Sequence, residues 1–187
     1  MRDHRSDKIP PSPWVTRFVV GATPGGTALD VACGSGRHIV PCLTAGLSAV
    51  GVDRDLSAVA HLRGDGRVEL VEADLEAAAP PPFQGRRFDV VIVANYLWRP
   101  LLPALVAAVA DDGLFIYETF AEGNARLGRP TNPDFLLKPG ELIAAVRPEL
   151  SVLAFEHVRL DGPARVVQRI CAVGPRHRWI EAGAPCA

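Results

Sequence analysis

Short apolar runs alternate with amphipathic segments along most of the chain. Runs rich in Val, Ile, Leu and Ala are typical of strands that are buried on both faces of a parallel sheet, and residues 88–94 form the strongest of them. The segments between the runs end at glycines or carry polar first turns, as helices do. The predicted strands are residues 27–33, 48–52, 68–71, 88–94, 114–120, 152–159 and 165–173, and the predicted helices are residues 37–47, 55–63, 101–110 and 139–146.

The order of these elements predicts an α/β fold. Repeated strand–helix alternation favours a doubly wound parallel sheet with right-handed crossovers. The last two strands are joined through Asp161 and Gly162, which predicts a C-terminal antiparallel hairpin on a mainly parallel seven-stranded sheet. The 187 residues suit one domain, with residues 1–12 and 176–187 as loosely held tails. Residues 121–138, hereafter the long loop, are rich in Gly, Asn, Arg and Pro, and a loop of this length is usually functional.

Composition and charge narrow the possible partners. A net charge of −1 gives no general electrostatic reason to expect nucleic acid or an anionic membrane as a partner. The longest apolar stretch, residues 101–110, is too short to span a bilayer, and residues 1–9 contain no apolar signal region. The four cysteines show no metal-binding spacing, so reduced thiols in a cytoplasmic protein are expected and no metal site is predicted.

A glycine loop follows the first predicted strand. Gly34 and Gly36 permit a tight turn and the close approach of a ligand to the backbone. In a doubly wound sheet such a loop lies at the carboxyl ends of the strands, where ligands bind. The two glycines alone also fit a tight strand–helix turn that binds nothing.

Three acids strengthen the interpretation of this loop as a cofactor site. Asp53 ends the second strand, where a carboxylate can accept hydrogen bonds from ribose hydroxyls, and Asp74 follows the third, within reach of an adenine amino group. Asp30 lies within the first strand, close to the loop. Ile39 occupies the third glycine position of the dinucleotide fingerprint, whose glycine allows close packing beside a pyrophosphate. This departure favours S-adenosylmethionine over NAD.

Four segments resemble the motifs of the class I S-adenosylmethionine-dependent methyltransferases, which have a Rossmann-like fold. They are Ala-Leu-Asp-Val-Ala-Cys-Gly-Ser-Gly at 28–36, Val-Gly-Val-Asp at 50–53, Glu-Ala-Asp-Leu at 72–75 and Phe-Asp-Val-Val-Ile-Val-Ala-Asn at 88–95. The resemblance covers residues 14–174. The layout is similar to that of small single-domain bacterial enzymes of the tellurite-resistance and thiopurine type. The resemblance implies S-adenosylmethionine as cofactor and S-adenosylhomocysteine as its product.

The resemblance also implies which residues hold the cofactor. Gly34 and Gly36 would lie against its methionine part, and Asp30 would orient the amino group. Asp53 would hold the ribose and Asp74 the adenine. The implied cofactor-binding residues are Asp30, Gly34, Ser35, Gly36, Asp53, Arg54, Asp74, Leu75 and Asn95.

The candidates for acceptor binding and catalysis lie near the same edge of the predicted sheet. Tyr96 follows the fourth strand and either lines the acceptor pocket or packs beneath the loop. Glu118 ends the fifth strand and is either a general base or a solvated strand end. The arginines of the long loop either face solvent or bind an anionic acceptor as part of a lid. The catalytic candidates are Tyr96 and Glu118, and the further substrate-site candidates are Arg17, His38, Arg126 and Arg129.

Methyl transfer to a small-molecule acceptor by in-line displacement is the function that these features favour. Residues 95–98 read Asn-Tyr-Leu-Trp, which departs from the Asn/Asp-Pro-Pro-Tyr motif of enzymes that methylate planar amino or amide nitrogens. DNA adenine and glutamine side chains are therefore disfavoured as acceptors. Two alternatives remain: an NAD-dependent oxidoreductase, and a non-catalytic module that binds S-adenosylmethionine.

Overall fold

Seven strands form one mainly parallel sheet in the computed structural model, which describes residues 9–77 and 79–184. The strand order is β3-β2-β1-β4-β5-β7-β6, and only β7 is antiparallel to its neighbours. This arrangement confirms the predicted α/β fold and its C-terminal antiparallel hairpin. The strands are β1 (Thr27–Val31), β2 (Ser48–Asp53), β3 (Val68–Glu72), β4 (Phe88–Ala94), β5 (Val109–Phe120), β6 (Ser151–Leu160) and β7 (Arg165–Val173).

Helices cover both faces of the sheet because alternate residues of its central strands point to opposite sides. Leu29 and Val31 pack on the side of α3 and α4, whereas Ala28 packs on the side of α1. We call these sides the α3 face and the α1 face. The helices are α1 (Pro13–Val19), α2 (Ile39–Thr44), α3 (Leu102–Ala107), α4 (Glu141–Val146) and α5 (Trp179–Ala182). None of the helices in the described residues is long and apolar enough to cross a membrane.

The predicted helix at 55–63 is wrong, since this segment consists of turns and one short 3-10 helix at Ala60–Leu62. The Asp53 carboxylate accepts a hydrogen bond from the Asp55 N–H at 3.2 Å, and the Asp55 carboxylate accepts one from the Ser57 N–H at 2.8 Å. Such side-chain bonds offer the backbone an alternative to helical hydrogen bonds. The segment therefore forms consecutive turns beyond β2.

The predicted boundary between the helix at 101–110 and the strand at 114–120 is also wrong. Strand β5 begins at Val109, and α3 ends two residues earlier, at Ala107. Val109 pairs with Phe88 across an irregularity in the ladder, and regular pairing resumes at Leu114. The early start of β5 depends on its pairing with β4, which lies about 20 residues earlier in the chain. The local pattern of residues 101–113 gives no sign of this pairing.

Part of the predicted C-terminal tail packs tightly against the α1 face. Trp179 is only 7% exposed, and its ring lies 6.4 Å from that of Phe18, centroid to centroid. A side chain at Gly21 would collide with the Trp179 ring, so glycine there makes room for it. The expectation of a loose tail is therefore wrong for residues 176–184. Residues 1–8 and 185–187 of the two predicted tails lie outside the described residues.

Candidate active site

The glycine loop between β1 and α2 is fastened to the end of β2. Gly34 and Gly36 have positive φ angles of 55° and 72°, a conformation that residues with side chains rarely adopt. The Gly34 N–H donates a hydrogen bond to Asp53 Oδ2 at 2.8 Å. Asp53 therefore shapes the loop as well as facing the place where a ligand would lie.

The two glycines meet different surroundings. A Cβ atom on Gly34 would meet no heavy atom of the described residues within 4 Å, which leaves open space above the loop. A Cβ atom on Gly36 would lie 2.6 Å from Val59 Cγ2, which is too close. Gly34 thus leaves room for a ligand, whereas Gly36 is required for packing within the protein.

Asp30 lies buried in β1, on the α1 face, with one carboxylate oxygen unsatisfied. The residue is 2% exposed, and Oδ2 has no hydrogen-bond partner among the described residues. Burial raises the pKa of Asp30 to about 7, Arg37 opposes the shift and Asp53 adds to it. A buried carboxylate oxygen without a partner fits a positively charged donor such as an ammonium group.

Apart from Asn95, which follows β4, the remaining predicted cofactor residues lie along the carboxyl ends of β1, β2 and β3. Asp53 is half-buried, whereas Asp74 is exposed just beyond β3 and accepts a hydrogen bond from the Glu76 N–H at 2.9 Å. Leu75 is buried, so it offers an apolar surface beside Asp74. Ser35 and Arg54 are exposed next to the glycine loop and Asp53. The strand order places these groups in a row.

A pocket opens beside this row, beyond the ends of β4 and β5. Its volume is about 250 Å³, and its walls come from four parts of the chain. The lining residues are Glu76 after β3, Asn95–Leu97 after β4, Thr119 and Phe120 at the end of β5, and Pro130 and Phe135 of the long loop. Tyr96 therefore lies in the wall of this pocket, and it also packs against the hydrophobic core of the α3 face.

The turn that carries Tyr96 is held by backbone contacts. Asn95 has a φ angle of 57°, and its N–H donates to the Glu118 carbonyl at 2.9 Å. The buried Tyr117 hydroxyl donates to the Tyr96 carbonyl at 2.8 Å. The Tyr96 hydroxyl has no hydrogen-bond partner among the described residues, and burial together with Glu76, Asp74 and Asp53 raises its pKa to about 12. At neutral pH this phenol is protonated and able to hydrogen-bond a ligand.

Glu118 belongs to a polar cluster on the α1 face and is not part of the pocket wall. It is 3% exposed, so the interpretation as a solvated strand end is wrong. The Ser12 hydroxyl donates to Glu118 Oε1 at 3.1 Å, and Arg169 Nη1 lies 3.5 Å from Oε2. The Ser12 N–H donates to His38 Nε2 at 3.2 Å. Burial and Arg37 lower the pKa of His38 to about 4, so the ring is neutral and can accept this bond.

The three arginines predicted near the substrate are not among the residues that line the pocket. The Arg17 guanidinium lies 4.7 Å from the Phe18 ring centroid and 5.8 Å from that of Trp14, on the α1 face. Arg126 and Arg129 are exposed in the long loop. Arg129 directly precedes the pocket residue Pro130 along the chain but is not itself among the lining residues. The exposure of Arg126 and Arg129 agrees with the solvent-facing alternative for these two side chains.

The long loop is pinned by Arg99, which sequence reasoning missed. Its guanidinium binds the Glu141 carboxylate at 2.7 and 3.0 Å and donates to the Asp134 and Leu136 carbonyls at 2.6 and 2.9 Å. Asn124 adds a second anchor, because its side chain donates to the Pro130 carbonyl at 3.2 Å. No local pattern marks Arg99, because every partner lies at least 35 residues further along the chain.

No group of three or more His, Cys, Asp or Glu side chains in residues 9–77 and 79–184 could hold a metal ion. The described site offers carboxylates, backbone groups and the Tyr96 phenol. These groups suit an organic cofactor with an ammonium group and hydroxyls.

The region around the glycine loop is similar to a known protein family. Residues 28–111 match the model of a family described as "Methyltransferase domain". A search of curated proteins found no match.

Several solved structures share the fold. TehB from Haemophilus influenzae is 16% identical with a TM-score of 0.62, over 80% of this chain and 58% of that one, so this chain spans less than two thirds of TehB. An S-adenosylmethionine-dependent methyltransferase from Mesorhizobium loti is 17% identical with a TM-score of 0.65, over 84% of this chain and 95% of that one. The glycopeptide N-methyltransferase MtfA, solved with S-adenosylmethionine, is 19% identical with a TM-score of 0.57, over 86% of each chain.

Proposed function

We propose that the chain is a class I S-adenosylmethionine-dependent methyltransferase, in line with the match of residues 28–111 to the methyltransferase-domain family, and that it transfers a methyl group from S-adenosylmethionine to a small-molecule acceptor. One arrangement carries the proposal. The unsatisfied Asp30 carboxylate, the open space above Gly34 and the Tyr96 pocket lie at the same end of the sheet. A cofactor with an ammonium group needs the first two, and an acceptor needs the third.

The residues at the carboxyl ends of β1, β2 and β3 would hold the cofactor. Asp30 would accept a hydrogen bond from its amino group, because Oδ2 is otherwise unsatisfied. Asp53 spends one bond on the Gly34 N–H and one on the Asp55 N–H, and a carboxylate has about four acceptor sites, so it can still accept ribose hydroxyls. Asp74 would accept from the adenine amino group.

The protein would contribute to the reaction mainly by aligning the acceptor with the methyl group. When bound, S-adenosylmethionine supplies an already activated methyl group, so in-line positioning of the acceptor is the main requirement. Tyr96 would hydrogen-bond the acceptor through its hydroxyl, which its raised pKa keeps protonated and which can both donate and accept. Glu118 would act as a positioning residue that holds Ser12, and with it the start of α1, against the glycine loop.

The size of the pocket supports a small acceptor. The pocket volume of about 250 Å³ lies just below the range that is typical of small-molecule sites, about 300–1,000 Å³. MtfA is named for a glycopeptide, so the relatives do not by themselves favour a small acceptor. The net charge of −1 supports the absence of a nucleic-acid partner and is compatible with the expected cytoplasmic location.

Incubation with S-adenosylmethionine carrying a trideuterated methyl group, together with a broad acceptor panel, tests this proposal. Mass spectrometry should detect S-adenosylhomocysteine and an acceptor that gains the labelled methyl group. Gly34→Val is the matched control, since a β-branched side chain there is strained and fills the open space. Binding of S-adenosylhomocysteine without turnover of any acceptor would instead favour a non-catalytic module, and binding of NAD would favour an oxidoreductase.

A further inference from the structure

We propose that the pocket beside Tyr96 accepts a small, flat aromatic molecule that carries a basic amine, with Glu76 as the group that selects the positive charge. This inference rests on the proposed function and specifies its acceptor. It differs from the lid hypothesis, in which Arg126 and Arg129 bind an anionic acceptor.

The apolar part of the wall favours a flat ring. Phe120, Phe135 and the Tyr96 ring join Pro130 around a small volume. Phe135 is 44% exposed although its side chain is large and apolar, so a bound ring would remove part of that surface from water. Aromatic faces are negative at their centres and therefore attract cations as well as other rings.

The charges around the pocket are negative. Glu76 is the only Asp, Glu, Lys or Arg among the lining residues that the structure describes. Asp74 and Asp53 also lie close enough to the Tyr96 hydroxyl to raise its pKa, as Glu76 does. A carboxylate or phosphate in this pocket would be repelled by these groups, whereas an ammonium group would be attracted.

The nearby cation does not offset this negative charge. The Arg99 guanidinium binds the Glu141 carboxylate and two carbonyl groups of the long loop, so its positive charge is already balanced by Glu141. The unsatisfied Tyr96 hydroxyl has lone pairs that can accept a hydrogen bond from an ammonium N–H. The apolar faces, Glu76 and Tyr96 together match an aromatic amine.

Three compounds of similar size separate the charge classes: benzylamine, benzyl alcohol and benzoate. Each is titrated into the full-length protein at saturating S-adenosylhomocysteine, and binding is followed by calorimetry or ligand-observed NMR. Benzylamine should bind about tenfold more tightly than benzyl alcohol, the effect of one partly solvated charge pair, and benzoate should bind most weakly.

Glu76→Gln is the decisive variant, because it keeps the shape of the side chain and removes its charge. It should reduce the preference for benzylamine over benzyl alcohol to about twofold or less and leave benzyl alcohol affinity unchanged. Glu149→Gln is the matched control, since Glu149 is exposed and is not among the pocket residues. It should preserve the full preference.

Binding of S-adenosylhomocysteine alone is measured first, so that two failures can be told apart. Without that binding, the proposed function fails and this inference fails with it. If S-adenosylhomocysteine binds, the inference alone is overturned by tighter binding of benzoate, by no binding of any of the three compounds, or by an unchanged preference in Glu76→Gln.

Discussion

Cofactor affinity should depend on pH through the buried carboxyl group of Asp30. Burial raises the pKa of Asp30 to about 7 in the ligand-free protein, and its Oδ2 has no partner among the described residues. An ammonium group binds the ionised carboxylate and not the neutral acid. Near neutral pH the cofactor should therefore bind directly to molecules in which Asp30 is ionised. Molecules in which Asp30 is protonated must release that proton when the cofactor binds.

The size of the effect follows from that pKa. One unit below it, about one molecule in eleven is ionised at Asp30, and one unit above it about ten in eleven are. The affinity for S-adenosylhomocysteine should therefore rise about tenfold from pH 6 to pH 8 and level off above that.

The pH dependence of cofactor affinity tests the role of Asp30 better than the pH dependence of folding stability does. The reason is that His38 and Asp30 change the stability in opposite directions as the pH rises. The folded-state pKa of Asp30 lies above its ordinary 3.8, so the ligand-free protein loses stability as pH rises from about 4 to 7. The folded-state pKa of His38, about 4, lies below its ordinary 6.5, so its contribution is lost as pH falls through nearly the same range. The two dependences partly cancel in a melting curve, whereas in the proposed complex Asp30, and not His38, would bind the amino group of the cofactor.

Titration calorimetry at pH 6, 7 and 8, in buffers of different ionisation enthalpy, measures both affinity and proton release. Asp30→Asn is the control, since the amide is similar in shape and does not titrate. The variant should bind more weakly at pH 8 and show no such pH dependence. Wild-type affinity that is flat from pH 6 to 8, or the same slope in Asp30→Asn, would refute this role for Asp30.

Three further predictions use other parts of the site. Both Gly36→Ala and Gly34→Ala strain a positive φ, but only the methyl group at position 36 collides with Val59, so Gly36→Ala should lower the free energy of unfolding by about 1–3 kcal/mol more than Gly34→Ala in denaturant titrations. Gly34→Ala should in addition reduce S-adenosylhomocysteine affinity, and equal melting temperatures of the two variants would contradict this contrast. Arg99→Ala should make the long loop the first site of limited proteolysis, and an unchanged digestion pattern would show that other contacts hold it. The double variant Arg126→Ala/Arg129→Ala should change S-adenosylhomocysteine affinity by less than about twofold and stability by less than about 0.5 kcal/mol, and a larger loss of affinity would place these exposed side chains at the cofactor.

The strands were predictable because burial on both faces leaves a signal in the sequence itself. The run at 88–94 coincides with β4, and the run at 165–173 coincides with β7. The segment at 55–63 misled because its acidic residues suit a helix start, yet Asp53 and Asp55 bond to backbone N–H groups and form turns instead. Helix propensity is a weak prior that such local bonds override.

The places of the predicted cofactor residues in the sheet were easier to predict than those of the acceptor candidates. Gly34, Asp53 and Asp74 each sit at a strand end, so a strand prediction with the right order brings them to one edge. Glu118 was expected beside the acceptor, but its side chain is not among those lining the pocket and instead meets Ser12, 106 positions away in the sequence, on the α1 face. Contacts between such distant residues leave no periodic pattern. The role of Arg99 was invisible for the same reason.

The central claim is that this sheet edge binds S-adenosylmethionine, and a calorimetric titration with S-adenosylhomocysteine and with NAD tests it most directly. We expect one S-adenosylhomocysteine bound per chain and no binding of NAD. Asp53→Ala should weaken the affinity about 10- to 100-fold, the effect of losing hydrogen bonds to a charged group worth about 1.5–3 kcal/mol. Binding of NAD in place of S-adenosylhomocysteine, or wild-type affinity in a correctly folded Asp53→Ala variant, would contradict the claim.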